Sequence, residues 1–450
     1  MQISPPRSLL HSLLPLACAT TALAACQTDA PPAEDSSCAS SELDCATSDS
    51  SSGAESAGSE STGTDTGTDT DTGTDTDEAT DTDEATDTGP SGDDARIWGR
   101  FESGGPVNAC GQVNDNWNAA DGSLLRMALD VCGDDMDALA QTIVANLDAI
   151  AERDGRALLV LYQGINLPAS WLAQCETFAL DSGNFQGDLC LPWDANYQQL
   201  LSQALSDHLG PALADHPALA GVYFTITTMT NGAEMHFRVT RDNFPPEPED
   251  GALTASYLAV MDMYQDAFDA PILFEAGHCI FDLPGADAAD VDCETPLTLY
   301  RHARDSYGPA SVGVALWNCA ERFWHGPTAT EDHVRPLLEE ATADGVSMGC
   351  QTVGNFTNQA CRFSDPAVGD YGTLIGVGSD ATCMPTGAND AEAACVDTLG
   401  WFAGESSQSA TSVVLKGTWV ESWSADTKPD TGINVTSAAC EAALNHFEAP

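Results

Sequence analysis

Positive charge is what this chain has least of. Its 450 residues carry 15 lysines and arginines against 69 aspartates and glutamates, for a formal net charge of −54. Only two of the cations are lysines, Lys416 and Lys428. A polyanion is held by a basic surface that releases its counterions, so nucleic acid is excluded as a partner. Other absences narrow the field. No Gly-x-Gly-x-x-Gly turn follows a strand-like run and no phosphate loop occurs, which removes the usual signs of a nucleotide fold. No Gly-x-Ser-x-Gly elbow is present, which argues against a serine hydrolase. From residue 95 onward there is no Cys-x-x-Cys pair and no histidine at matching spacing. No metal and no cofactor is therefore expected, and His236 with His278 lacks a third positioned ligand.

What is present begins with an address. Residues 1–25 have one arginine, an apolar stretch too short to span a membrane as a mature helix, and then Leu23-Ala24-Ala25-Cys26. Such a segment is a secretory signal and takes no part in the fold. The four residues ending at Cys26 resemble a bacterial lipobox. That resemblance implies cleavage before Cys26, diacylglycerol on its sulfur and acylation of its new amino group; the alternative is ordinary cleavage with Cys26 incidental. Two or more acyl chains anchor a protein stably to a bilayer. Gln27 is not the aspartate that resembles an inner-membrane retention signal, so the expected location is the outer membrane or the cell surface.

Residues 26–94 are Ser, Thr, Gly, Asp and Glu with almost nothing apolar. Such a run cannot bury enough surface to offset the entropy of ordering it, and reads as a disordered acidic tether. Its Asp-x-Asp spacing lacks the glycine and later glutamate of an EF-hand loop. Setting aside the 20 acidic residues and Arg7 that precede residue 95 leaves 49 acidic against 14 basic residues, about −35. High negative charge favours solubility and is a lever used by halophiles. Twelve of the 16 cysteines fall in residues 95–450, an even number suited to disulfides in an oxidising compartment. Cys175 with Cys190, and Cys279 with Cys293, would each close a short loop.

From residue 95 to 450 the chain alternates β-rich runs with Ala- and Leu-rich runs. The strand candidates start at residues 96, 124, 157, 222, 271, 312, 347 and 412, and helical patterns separate most of them. Strand–helix alternation argues for a parallel sheet, and eight units are economically closed as a (β/α)₈ barrel, which leaves no open edge. An open doubly wound sheet is the competitor. Two long insertions, 164–194 and 354–388, follow strands three and seven, on the side where such barrels build their sites. A monomer is expected.

Strand ends of a barrel converge on one mouth. Read off the sequence, they bring Arg100 and Glu102, Arg126 and Asp130, Tyr162 and Gln163, then Asn231, Glu234 and His236. Glu275, His278, Trp317, Asn318, Glu321, Gln351 and Asn355 follow, with Trp419, Glu421, Trp423 and Asp426 last. Carboxylates, amides and indoles together suit a sugar, whose hydroxyls lie in the ring plane and whose C–H patches cover its faces. Glycosidic cleavage needs one carboxylic acid for the leaving oxygen and a second carboxylate for water or the nucleophile.

These positions resemble the large glycoside hydrolase clan of (β/α)₈ barrels that includes cellulases and β-galactosidases. The resemblance implies that Arg126 lies beneath the site, that Glu234 is the acid/base, and that Trp419 floors the sugar pocket at the end of strand eight. "NLPASWL", with Pro168 and Trp171, and "LPWDANY" also look like segments of these enzymes. Two departures stand out: Asn231 is three residues ahead of Glu234 rather than adjacent to it, and Gln351 stands where the clan has its nucleophilic glutamate. An amide is no carboxylate nucleophile, so Glu421 or Glu275 would have to supply the second carboxylate. Otherwise the chain is a glycan-binding barrel without turnover, or its strand ends are polar caps, with Glu421 or Glu275 neutralised by Arg126 or Arg100. In the first two readings the partner is a carbohydrate, with Asn231 orienting, His236 as wall or supporting partner, and His278, Trp317, Gln351 and Trp419 lining the mouth, while core packing is the commoner role of large aromatics such as Trp317 and Trp419.

Overall fold

The computed structural model describes residues 96–103, 110, 122–182, 185–228, 235–237, 239, 241–276, 279–281, 292–316, 319, 329–352, 391–405, 414–423 and 438–448. Eight parallel strands close into a barrel: β1 (Gly99–Ser103), β2 (Gly122–Ala128), β3 (Arg156–Tyr162), β6 (Leu219–Tyr223), β7 (Ile272–Glu275), β8 (Val312–Leu316), β9 (Ser347–Gln351) and β10 (Trp419–Trp423). Around the ring they run β1-β10-β9-β8-β7-β6-β3-β2, with β1 paired to both β10 and β2. This is a (β/α)₈ barrel, as the alternation of strand and helix patterns predicts. Among the described residues two further strands, β4 (Thr177–Ser182) and β5 (Phe185–Cys190), form a separate antiparallel hairpin inside the insertion after β3.

The helices sit where the apolar periodicity places them. The strand-following helices are α1 (Met136–Ala151), α3 (Ala195–Gln203) continued by a π-helical turn into α4 (Gly210–Leu213), α5 (Ala252–Ala267), α6 (Glu294–Tyr307), α7 (Ala329–Asp344), α8 (Ala391–Phe402) and α9 (Ala438–Leu444); a short α2 (Ala169–Leu172) lies in the insertion. Asp135 caps α1 by accepting from the Ala138 N–H at 2.9 Å, and Asp194 caps α3 from the Tyr197 N–H at 2.9 Å. Each cap satisfies an N–H that the helix leaves unpaired.

Strand alternation divides the core in two. In β3, Leu159 and Leu161 belong to the large apolar layer beneath the helices, whereas Leu158 and Val160 belong to the cluster that fills the lumen. The same period of two sends Leu273 inward and Phe274 outward in β7, and Trp419 inward and Val420 outward in β10. Both faces are apolar because both are covered, as in parallel sheets generally.

Two strands depart from the sequence reading. The run at 412–419 yields a strand only from Trp419, because Gly417 bonds back to Phe402 of α8 instead of joining the ladder. Gly404, at φ +80, ends α8 and lies so close to the Leu415 carbonyl that a methyl there would stand 2.3 Å from that oxygen. The Gly417 N–H donates to the Phe402 carbonyl at 2.8 Å, and only the Thr418 N–H reaches across to Met348. Trp419 therefore opens its strand, and Trp423 ends it. The run at 222–228 gives a ladder that ends at Tyr223, after which Thr225 turns its hydroxyl to the Leu161 carbonyl. Arg100, expected at the mouth, faces outward and pairs with Glu441 of α9 at 3.5 Å.

Disulfides fasten the strand-to-helix side. Cys175–Cys190 and Cys279–Cys293 form as the short loops suggest, joined by Cys110–Cys132 and Cys319–Cys350; Cys395–Cys440 ties α8 to α9. A cross-link over 15 residues, as between Cys175 and Cys190, restricts the unfolded chain by about 3 kcal/mol. The paired Cys175→Ser and Cys190→Ser variant is thus expected to lose about 3 kcal/mol in urea titration. An unchanged midpoint and slope would show that the hairpin is held by packing alone.

Candidate functional site

At the C-terminal ends of the strands, alternation assigns Arg126 to the inner face with Leu124, Glu275 with Leu273, and Gln351 with Gly349. Glu421 joins them from β10, two residues beyond the lumen-filling Trp419. These four positions share one inward face although they are spread over almost 300 residues of chain.

Glu421 is the centre of the cluster. It is 4 % exposed, and its Oε1 accepts from the Tyr223 hydroxyl and, at 3.0 Å, from the Trp419 indole N–H. In the ring order β6 and β10 are diametrically opposed, so the Tyr223 and Glu421 side chains meet across the lumen. Among the described residues Oε2 takes no hydrogen bond. Burial pushes the Glu421 carboxyl above its ordinary range, against the pull of the Tyr223 and Trp419 donors and the Arg126 guanidinium. Burial, then the neighbouring Glu421 charge, holds the Tyr223 phenol well above its usual value, so the hydroxyl keeps its proton and donates. Arg126, half-buried, donates from Nη1 to the Tyr162 hydroxyl at 3.3 Å, which links β2 and β3 to the same cluster.

Trp419 departs from its expected place. It is fully buried in the lumen at the start of β10, where a methyl on Gly349 would stand 1.8 Å from its Cε2 and one on Gly313 3.2 Å from its Cη2. Among the described residues it packs the lumen and makes one polar contact, its bond to Glu421. The reason is the late start of the strand, which puts Trp419 four residues before the end.

Glu275 is 4 % exposed and His236 is 2 % exposed. His236 precedes Phe237, which extends the β6–β7 neighbourhood by a bridge to Phe281, its N–H donating to the Ile280 carbonyl at 2.7 Å. Phe178, Phe237, Phe244 and Phe281 stack into an aromatic wall there, with the Arg241 guanidinium 4.9 Å above Phe281. Gln351 is half-buried, and its carbonyl accepts from the Cys319 N–H at 3.1 Å. Asn231, Glu234, His278, Trp317 and Cys26 lie outside the described residues. Tyr223 was not among the sequence candidates: flanked by Val222 and Phe224, it reads as core filler. In the barrel those two neighbours face the helices, which turns Tyr223 inward, a choice the apolar run alone does not make.

Among the described residues, no group of three or more His, Cys, Asp or Glu side chains could hold a metal ion. In the same residues no helix is long and apolar enough to cross a membrane.

No protein-family model matches the sequence, and no curated protein matches it. Some solved structures show a weak overall likeness to this chain. The catalytic domain of β-amylase from Paenibacillus polymyxa is 10 % identical with a TM-score of 0.34, covering 52 % of this chain and 78 % of its own. A GH113 β-1,4-mannanase is 7 % identical at TM-score 0.35, covering 79 % of this chain and 100 % of its own. Morphinone reductase in complex with tetrahydroNAD is 15 % identical at TM-score 0.25, covering 51 % and 60 %.

Proposed function

We propose that residues 95–450 form a glycoside-hydrolase-like barrel that cleaves an extracellular poly- or oligosaccharide, held at the cell envelope by lipid on Cys26. The observation that carries this reading is Glu421, an inward-facing, buried carboxylate with Oε1 held by two donors and Oε2 unengaged among the described residues. A carboxyl pushed up by burial is nearer the range in which a general base works best. In this scheme Glu421 takes a proton from water as the water attacks the anomeric carbon. The glycosidic C–O bond breaks, and Glu234 protonates the departing oxygen. Such an inverting pair stands about 6.5–9.5 Å apart. Glu275, also inward and buried, is the alternative second carboxylate.

A glycan-binding barrel without turnover is the second reading. It is favoured by the two bonds that occupy Oε1 of Glu421, since they also suit a purely structural role. The test is a screen of labelled glycans against the full chain, with Glu234→Gln as control. Turnover by the wild type and its loss in Glu234→Gln, by about 10²–10⁴-fold, is expected. Equal turnover by the two proteins would remove Glu234 from the mechanism, and retention of glycan without cleavage would select the binding reading.

A further inference from the structure

A carboxylate at the centre of a barrel needs something to aim it. Trp419 approaches Glu421 from its own strand, but an indole wedged against Gly349 and Gly313 can offer only one fixed N–H. The second donor comes from β6, on the far side of the ring. Arg126 faces the carboxylate from β2, while Glu275 from β7 and Gln351 from β9 share its inner face, and Tyr162 of β3 holds Arg126.

We propose that Tyr223 is a positioning residue for Glu421: its hydroxyl, presented from the opposite strand, fixes Oε1 and leaves Oε2 as the oxygen that meets water or substrate. The inference rests on the reading of Glu421 as the second carboxylate and adds to it the residue that orients the group. Tyrosine suits the task because it spans the lumen with a stiff ring and few rotatable bonds, and ends in a donor. Phenylalanine would fill almost the same volume while leaving Oε1 one donor short. A donor to the ionised carboxylate favours that form, so its removal makes Glu421 hold its proton more tightly.

The experiment is Tyr223→Phe in the full chain, read by NMR titration of ¹³C-labelled glutamate carboxyls, with the Glu421 signal identified by its absence in Glu421→Gln. The expected result is a Glu421 titration displaced to higher pH, with about a tenfold gain in proton affinity. Biosynthetic incorporation of 3-fluorotyrosine, a more acidic phenol and a stronger donor, is expected to move the same signal to lower pH. On any glycan the wild type cleaves, Tyr223→Phe is expected to lose about tenfold in kcat at acidic pH, to recover at alkaline pH, and to keep its KM. A merely structural tyrosine would lower the rate equally at every pH.

An unmoved Glu421 signal in folded Tyr223→Phe overturns the proposal, whether or not a substrate has been found. A displaced signal in a protein that cleaves no glycan upholds Tyr223 and instead removes the hydrolytic reading. If Tyr223→Phe does not fold, the fluorotyrosine displacement decides, and its absence is equally fatal.

Discussion

Gly349→Ala is expected to destabilise the barrel by about 3 kcal/mol or more, at or above the upper end of what overpacking usually costs. The added methyl would lie 1.8 Å from Cε2, 2.1 Å from Nε1 and 2.3 Å from Cζ2 of Trp419. Three atoms of a fused ring cannot give way separately, so the whole indole must move. Behind it Gly313 offers only the room of its own missing side chain, with Leu273 already 2.3 Å from where a methyl there would stand. Movement of the indole also breaks its N–H bond to Glu421, so overpacking and a lost polar contact arrive together. Trp419→Phe in the same chain should restore part of the loss, because a single ring is smaller where the collision falls. Urea titrations of the wild type, each single variant and the double variant would measure that coupling, and contacting residues typically show such non-additivity. A Gly349→Ala protein as stable as the wild type would mean that the indole does not lie over β9.

The same two strands show what could be read from the sequence and what could not. The barrel was legible because each strand–helix unit is a local signal: "RALLVLY" is apolar on both faces, and Asp135 and Asp194 cap helices that begin one residue later. Cys175–Cys190 and Cys279–Cys293 were legible for the same reason, being close in sequence. Trp419 was misplaced because apolar run and ladder are different things. "SVVLKGT" is rich in β-formers, but Leu415 and Gly417 spend their contacts on α8, a tertiary competition that propensity cannot register. Arg100 was misplaced by one step of the pleat, which in a strand separates the lumen from the helix layer. Tyr223 was missed because its role depends on a partner 198 residues away, set by ring closure. Glu421 and Glu275 were legible as inward acids, since for each the alternation within its own strand suffices.

Glu421→Gln is expected to reduce hydrolysis by about 10²–10⁴-fold, the usual range for removing a general acid or base, while making the protein more stable at neutral and alkaline pH. The amide keeps a carbonyl oxygen where Oε1 stands, so it can still accept from Tyr223 and Trp419. What it abolishes is ionisation in a buried place. Burial raises the folded-state value of Glu421, so the folded chain binds its proton more tightly than the unfolded chain does. Its stabilising contribution is therefore complete below the unfolded value and is lost as pH rises through the folded one. Glutamine never ionises, so the variant should match the wild type in acid and exceed it in Tm by a margin that first opens across that window. Calorimetry at several pH values alongside the glycan assay separates the possible outcomes. Lower activity with higher Tm is what a destabilising carboxylate kept for chemistry requires. Lower Tm at every pH would instead make Glu421 a structural acceptor that needs its charge, and the second carboxylate would then have to be Glu275.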